Sequence, residues 1–177
     1  MTFGQYPQNG DTPEPITWTV LECRGDELLL LSDYALDCLP FNRVSRECAW
    51  QNCSLRKWLN GTFTEEAFSE PEKEQLLETR FYGKESEPDL VFLLSQREIQ
   101  QYIPNESERV TAPTAYAVRH GAWTNRHGSC YFWVRCNTGG KDHKARYVTT
   151  AGDFADYACS SRTRCVRPAL WMKFRQQ

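Results

Sequence analysis

The residues with the most chemical potential in this chain are its cysteines, its histidines and a set of arginines concentrated toward the C-terminus. The thiols are Cys23, Cys38, Cys48, Cys53, Cys130, Cys136, Cys159 and Cys165. No CxxC pair occurs, so the spacing behind the common structural zinc sites is missing. A chain of 177 residues buries a core without covalent staples. Free buried thiols are therefore expected for most of the eight, Cys23 among them, because it ends an apolar strand pattern. A disulfide within the C-terminal loops stays open for an exported protein. His120 and His127 would need a third partner to hold a metal, and the sequence supplies none, so no metal is expected. There is no G-x-S-x-G elbow, phosphate-cradling loop, HExxH or EF-hand spacing. Only Asp142, Asp153 and Asp156 follow Glu108 as carboxylates. A paired-carboxylate hydrolase would have to borrow an acid from the front half. No catalytic set and no cofactor are expected.

A different chemistry is written between Arg146 and Arg164, which reads RYVTTAGDFADYACSSRTR. Tyr and Phe offer large contact area at low entropic cost, Ser and Thr offer adaptable hydrogen bonds, and Arg suits carboxylate or phosphate. The candidate ligand-binding residues are Trp123, Arg126, Asn137, Arg146, Tyr147, Thr149, Asp153, Asp156, Tyr157, Ser160, Arg162 and Arg164. The expected partner is a protein or a glycan. A competing reading takes Arg162-x-Arg164-x-x-Arg167, with Lys144, Arg146, Tyr147 and Tyr157, as a basic patch for nucleic acid; it is the weaker of the two, because Arg167 sits in a strand-like block.

The net charge of −2 conceals a division. Met1 to Glu108 carries nine Lys and Arg against 20 Asp and Glu, a formal −11, and the remainder carries 12 against three, a formal +9. Either the halves pack together and neutralise one another, or the basic part presents a surface to an anionic ligand. No window approaches the roughly 18 apolar residues of a membrane span, and no N-terminal stretch reads as a signal peptide. The expected location is cytoplasmic for a complete chain, and cell-surface or secreted for an excised domain. The oligomeric state is left open.

The elements that must position these residues read as α+β, in one domain over residues 1–177. Ile16–Cys23 and Glu27–Ser32 form a hairpin about Arg24-Gly25-Asp26. Ser54 is the expected cap of a helix ended by Asn60-Gly61, and Thr64 of a second. Capping boxes at Ser69–Glu72 and Ser95–Glu98 open two more, and a further helix begins at Pro113. Strands are expected at Leu90–Leu94, Ser129–Arg135, Arg146–Thr150 and Cys165–Met172, the last at an edge or bulge because it contains Pro168. Trp133, Arg135, Arg167 and Trp171 read as framework.

Several blocks together carry a resemblance: FGQYPQ, PITWTVLE, LLLLSDYALDCLPFN, WQNCSLRKWLN, AFSEPEKE, VFLLSQREI, TAPTAYA and VRPALWM. In this order they resemble a family of bacterial domains known only as a domain of unknown function. Its members open with FGRYPQ and close with WLRSPG and GVRPALW. Here WLRSPG is replaced by Trp133-Val134-Arg135-Cys136-Asn137-Thr138-Gly139, and Cys165 stands where the glycine before VRPALW is usual. The family is similar in its C-terminal half to the C-type-lectin-like fold. That fold is shared with formylglycine-generating enzymes and with the variable proteins of diversity-generating retroelements. The resemblance implies a C-type-lectin-like single domain with short helices in the N-terminal half and an irregular antiparallel sheet. By the same likeness, Cys159-x5-Cys165 and Cys130-x5-Cys136 are the nearest analogues of the thiols with which formylglycine-generating enzymes bind copper and activate oxygen. The other active-site residues of those enzymes have no match here. Ala145 to Arg167 also contains no Lys, Glu, Gln, Met or Trp. These five cannot arise when both adenines of an AAC codon are randomised, so the composition is compatible with a diversified ligand-binding surface.

Overall fold

A computed structural model describes residues 1–44, 48–136 and 143–174. The N-terminal hairpin forms from the alternating and β-branched run read in the sequence, and both strands are longer or better partnered than that run suggests. Strand β1 (Thr2–Pro7) pairs with β2 (Pro13–Arg24), which pairs with β3 (Glu27–Ser32). Gly25 makes the β2–β3 turn with φ +64°, a conformation open to glycine. A register shift interrupts the ladder between Val20 and Glu22, and the alternation of buried and exposed residues in β2 ends before it. Cys23, next to the end of β2, is exposed, contrary to the buried thiol expected there.

The expected C-terminal strand divides in two. Strand β9 (Cys165–Val166) joins one sheet and β10 (Ala169–Lys173) the other. Pro168, which has no N–H to give a ladder, stands between them. Neither piece is an edge. With β4 (Asp37–Cys38), β5 (Val91–Phe92), β6 (Phe132–Trp133), β7 (Lys144–Val148) and β8 (Phe154–Ala158), two five-stranded sheets result. The first runs β1-β2-β3-β10-β5 and the second β4-β9-β6-β7-β8. Pairing is antiparallel apart from β6 with β9.

Short helices fill the middle of the chain. Helix α1 (Ser54–Trp58) is capped by Cys53, whose sulfur accepts from the Arg56 N–H at 3.4 Å, and Ser54 is its first residue. It does not stop at Asn60-Gly61. It runs through a π-turn (Leu59–Phe63) into α2 (Thr64–Ala67). The wide turn is held from both sides. Thr64 Oγ1 donates to the Leu59 carbonyl at 2.7 Å, and the Asn60 amide bridges the Arg56 and Val91 carbonyls. Thr64 thus supports a continuing helix instead of capping a new one. The Ser69 box opens α3 (Glu70–Lys73) and the Ser95 box opens α4 (Gln96–Tyr102), as expected. Helices α5 (Glu106–Arg109) and α6 (Ala115–Arg119) follow, with Thr114 capping the latter.

One core joins both sheets to the helices. Trp18, Trp50 and Trp133 are fully buried, and each indole N–H is satisfied, by Phe3 O, Asp89 Oδ2 and Leu39 O respectively. Asp89 is itself buried between Trp50 and Arg56, whose Nε lies 2.5 Å from Oδ1. Burial raises the Asp89 pKa, against the pull of these two donors. Cys48 and Cys159 form a disulfide across 111 residues, tying the front half to the end of β8. The remaining six cysteines are free.

Candidate functional site

The segment read as a recognition loop is largely a β-hairpin. Strand β8 occupies Phe154–Ala158, where no strand was expected, and lies at the edge of the second sheet against β7. Directly opposed residues share a face, so the register sorts the candidates. Tyr147 and Tyr157 belong to one face, with Ala145 and Ala155. Lys144, Arg146 and Asp156 belong to the other.

On the second face Arg146 forms a two-pronged pair with Asp156, at 2.8 Å for both contacts, and also reaches Gln96 Oε1 of α4. The hydrogen bonds from Arg146 hold the Asp156 carboxyl below its ordinary value. This pair is a strap between β7, β8 and α4. At the hairpin tip, Thr149 Oγ1 accepts from the Ala151 N–H and Asp153 O accepts from the Thr149 N–H. The tip is docked on α5, because Gly152 O accepts from Arg109 Nη1 at 3.1 Å. Thr149 and Asp153 therefore lie in an anchored turn at the end of the hairpin.

The first face is an aromatic array around one guanidinium. Arg164 is 5% exposed. Its Cζ lies 3.7 Å from the ring centroid of Tyr157, 4.4 Å from Tyr147, 5.3 Å from Tyr131 and 5.7 Å from Trp133. Trp123 stacks flat on Tyr131, with centroids 4.8 Å apart and planes 6° apart. Tyr131 meets Tyr147 edge-on at 5.3 Å. Trp133 forms the buried floor, while Trp123 and Tyr157 stay 44% and 49% exposed. Nη1 of Arg164 donates to Ser161 Oγ and Thr163 Oγ1, and Nε has no hydrogen-bond partner among the described residues.

Backbone bonds hold this array in place. The Trp123 N–H donates to Thr163 O and the Cys165 N–H to Tyr131 O. The buried Cys38 thiol donates to the carbonyls of Arg162 and Arg164. Cys159 fixes the end of β8 through its disulfide, and its N–H donates to His143 O. Ser160 is half-buried in the turn that follows, and Arg162 is exposed beyond it. Arg126 is exposed beside His127, to which its Nε donates. Asn137 lies outside the described residues.

Of the sequence candidates, the structure thus gathers Trp123, Tyr147, Tyr157 and Arg164, with Arg162 at the rim. It puts Arg146 and Asp156 on the opposite face of the hairpin, and Thr149 and Asp153 in the turn at its tip. Tyr131 and Trp133 complete the array. Tyr131 was passed over because only tertiary stacking distinguishes it from an ordinary strand residue, and Trp133 was read as framework, which its burial supports.

The basic stripe proposed for nucleic acid comes apart on the same geometry. Arg167 is buried with Nε on Ser32 O, and burial pulls its pKa down to about 10. Arg164 is buried and Arg146 is neutralised, which leaves Lys144 and Arg162 in solvent. The charge division is partly architecture. Arg119, Arg135 and Lys173 pair with the front-half acids Asp11, Glu98 and Asp26. Arg126, Lys144, Arg162 and Arg164 have no ion pair among the described residues.

Two further clusters were not anticipated. His120 Nδ1 donates to Asp37 Oδ1 at 2.8 Å, and Tyr6 Oη donates to Oδ2 at 2.7 Å. Burial, then the Asp37 charge, pushes the Tyr6 phenol far above its ordinary value. These residues are 31 and 83 positions from Asp37, beyond any local motif. The neighbouring thiols of Cys130 and Cys38, and then burial, raise the Cys165 pKa. Cys159, its suggested partner in copper chemistry, is bonded to Cys48 instead. No group of three His, Cys, Asp or Glu among the described residues is placed to hold a metal ion. No described helix is long and apolar enough to cross a membrane.

No curated protein and no solved structure matches the chain. A family model does, over residues 25–174, from the β2–β3 turn through β10 and the whole aromatic array. By that match the chain belongs to DUF6273, a domain of unknown function.

Proposed function

We propose that this protein is a non-catalytic recognition module that binds a protein or glycan through the face built from Trp123, Tyr131, Tyr147, Tyr157 and Arg164. One observation carries the reading. Two large, half-exposed aromatic side chains, Trp123 stacked on Tyr131 and Tyr157 over Arg164, flank a cation that has no carboxylate partner among the described residues. Tyr, Trp and Arg in a rigid cluster are the residue types that dominate binding energy at protein interfaces. The disulfide and the docked hairpin tip hold the stack before a ligand arrives, which reduces the ordering cost of binding.

A C-type-lectin-like fold for the C-terminal half belongs to the same proposal. It is supported by the last strand, β10, lying beside the early strand β3 while short helices and the small second sheet fill the chain between them. Diversification by a retroelement is supported by the residue types missing from Ala145 to Arg167. A nearby template repeat differing from the coding sequence only at adenines is its decisive observation.

The test of recognition uses the full chain, immobilised with its disulfide formed. It is probed with a displayed random-peptide library and a glycan array, beside a Trp123→Ala, Tyr157→Ala double variant. The wild-type chain should enrich a defined ligand set, and the variant should lose it with its melting temperature held within a few degrees. Equal enrichment by both proteins would remove the face from the account.

A further inference from the structure

The geometry points to Arg164 as the receptor for a carboxylate, supplied by an Asp or Glu side chain of a protein partner. This deepens the recognition reading above and rests on it. A guanidinium has two edges that match a carboxylate, and one of them is used here. Nη1 is taken up by the Ser161 and Thr163 hydroxyls. Nε, on the opposite edge beside Nη2, is buried and donates to nothing among the described residues. The Nε–Nη2 edge is the one that makes parallel, two-pronged bonds to a planar carboxylate.

Burial makes this vacancy informative. A cation taken out of water normally finds an anion or a full set of acceptors. No other buried arginine leaves a side-chain nitrogen both buried and without a partner among the described residues. Arg109 donates to the carbonyls of Ile103, Pro104 and Gly152, Arg135 bonds to Glu98, and Arg167 bonds to Ser32 O. Arg164 has aromatic faces, two hydroxyls and a free edge. Aromatic rings stabilise a cation without consuming its donors. They leave it ready for an anion while keeping water from competing.

Access is through Tyr157. Its ring covers the guanidinium at 3.7 Å, but it stands on the edge strand β8 and is half in solvent. Exposed side chains change rotamer in picoseconds to nanoseconds, so the cover opens without moving the backbone. The surrounding charge favours an acid. Arg162 and Arg126 are exposed and have no ion pair among the described residues, whereas Asp156 faces the other side of the hairpin and is held by Arg146. A peptide is favoured over an acidic sugar because Tyr, Trp and Ser, residue types favoured in protein-binding paratopes, surround the anchor.

Displayed random peptides selected on the oxidised full chain supply the probe. Selected sequences should carry Asp or Glu at one fixed position. Replacing that residue by Asn or Gln in the synthetic peptide should weaken binding by about 10- to 100-fold, the range for a hydrogen bond to a charged group. Arg164→Lys keeps the charge but loses the fork, and should weaken the acidic peptide while leaving its amide counterpart unchanged. Should Arg164→Lys fail to fold, the paired peptides measured on the wild-type chain still decide the matter. Peptides enriched with no acidic position, bound equally well as acid and amide, would overturn the carboxylate site and leave recognition standing. Enrichment of uronic-acid or sialylated oligosaccharides in place of peptides would overturn the protein partner. Absence of any Trp123- and Tyr157-dependent ligand would overturn the recognition reading itself.

Discussion

Replacing Gly152 with Ala tests how firmly the β7–β8 hairpin is docked and separates that from the cost of an unusual backbone. Gly152 has φ +89°, and a Cβ there would lie 1.9 Å from Glu106 O and 2.6 Å from its carbonyl carbon. Both are backbone atoms of α5, so no side chain can swing aside. The hairpin tip must retreat by roughly 1 Å, an overpacking strain of the kind that costs about 1–3 kcal/mol. Retreat also stretches the 3.1 Å bond from Arg109 Nη1 to Gly152 O. Placing a Cβ at positive φ costs about 1–2 kcal/mol, and a weakened hydrogen bond to a buried charge adds about 1.5–3 kcal/mol. Since relief of one relaxes the others, a total of about 3–5 kcal/mol is expected. That is a large part of the roughly 5–15 kcal/mol that holds a domain together. Gly25→Ala is the matched control, with φ +64° but nothing within 4 Å of the new Cβ. It should lose only the backbone cost of about 1–2 kcal/mol. Equilibrium urea denaturation of the two oxidised variants, followed by tryptophan fluorescence, reads the difference. Equal losses in the two would refute the claim that the tip is anchored on α5.

Other perturbations follow from single contacts. Asp89→Asn leaves the Arg56 guanidinium without its buried anion, and denaturant unfolding should show a loss of about 3–5 kcal/mol. Breaking Cys48–Cys159 by Cys48→Ser, Cys159→Ser releases a 111-residue loop, and the loop-entropy relation gives a loss of about 4–5 kcal/mol in the unfolding free energy read from the same titration. Tyr6→Phe removes a donor from buried Asp37, and the melting temperature should fall by an amount equivalent to about 1–3 kcal/mol. Because the folded-state pKa of Asp156 is depressed by Arg146, its contribution is present above the ordinary carboxylate value and lost as pH falls through the lower one. Asp156→Asn should therefore flatten the acid side of the stability–pH curve and leave its alkaline side unchanged.

Local signals in the sequence found what local physics decides. The capping boxes at Ser69 and Ser95 act within four residues, and both open helices where expected. The β2–β3 hairpin needs only alternation and a glycine at positive φ, and it forms. The strand over Phe154–Ala158 escaped notice because Asp156 and Ala158 weaken its pattern, and its stability comes from pairing with β7 and the Arg146 strap. The Cys48–Cys159 bond was equally hidden, since its partners are far apart in the chain. Of the residues expected for recognition, aromatic and arginine composition singled out Trp123, Tyr147, Tyr157 and Arg164, which the fold brings together. Composition could not separate these from Arg146 and Asp156, because strand register assigns them to opposite faces. Composition is also silent on packing, and the Tyr147 ring meets those of Trp133 and Tyr131 edge-on.

By itself, then, the sequence determined an α+β chain with a basic, aromatic C-terminal part, because composition, alternation and capping depend on neighbours along the chain. Tertiary structure decided which of those cations are neutralised and which one stands in a ring of aromatics with an edge to spare. Arg135 and Arg164 are both buried arginines, and nothing local to either predicts that one meets Glu98 while the other meets Tyr157. That difference arises from strands and helices brought together over long separations, where pairing is set by burial and register and not by spacing in the chain.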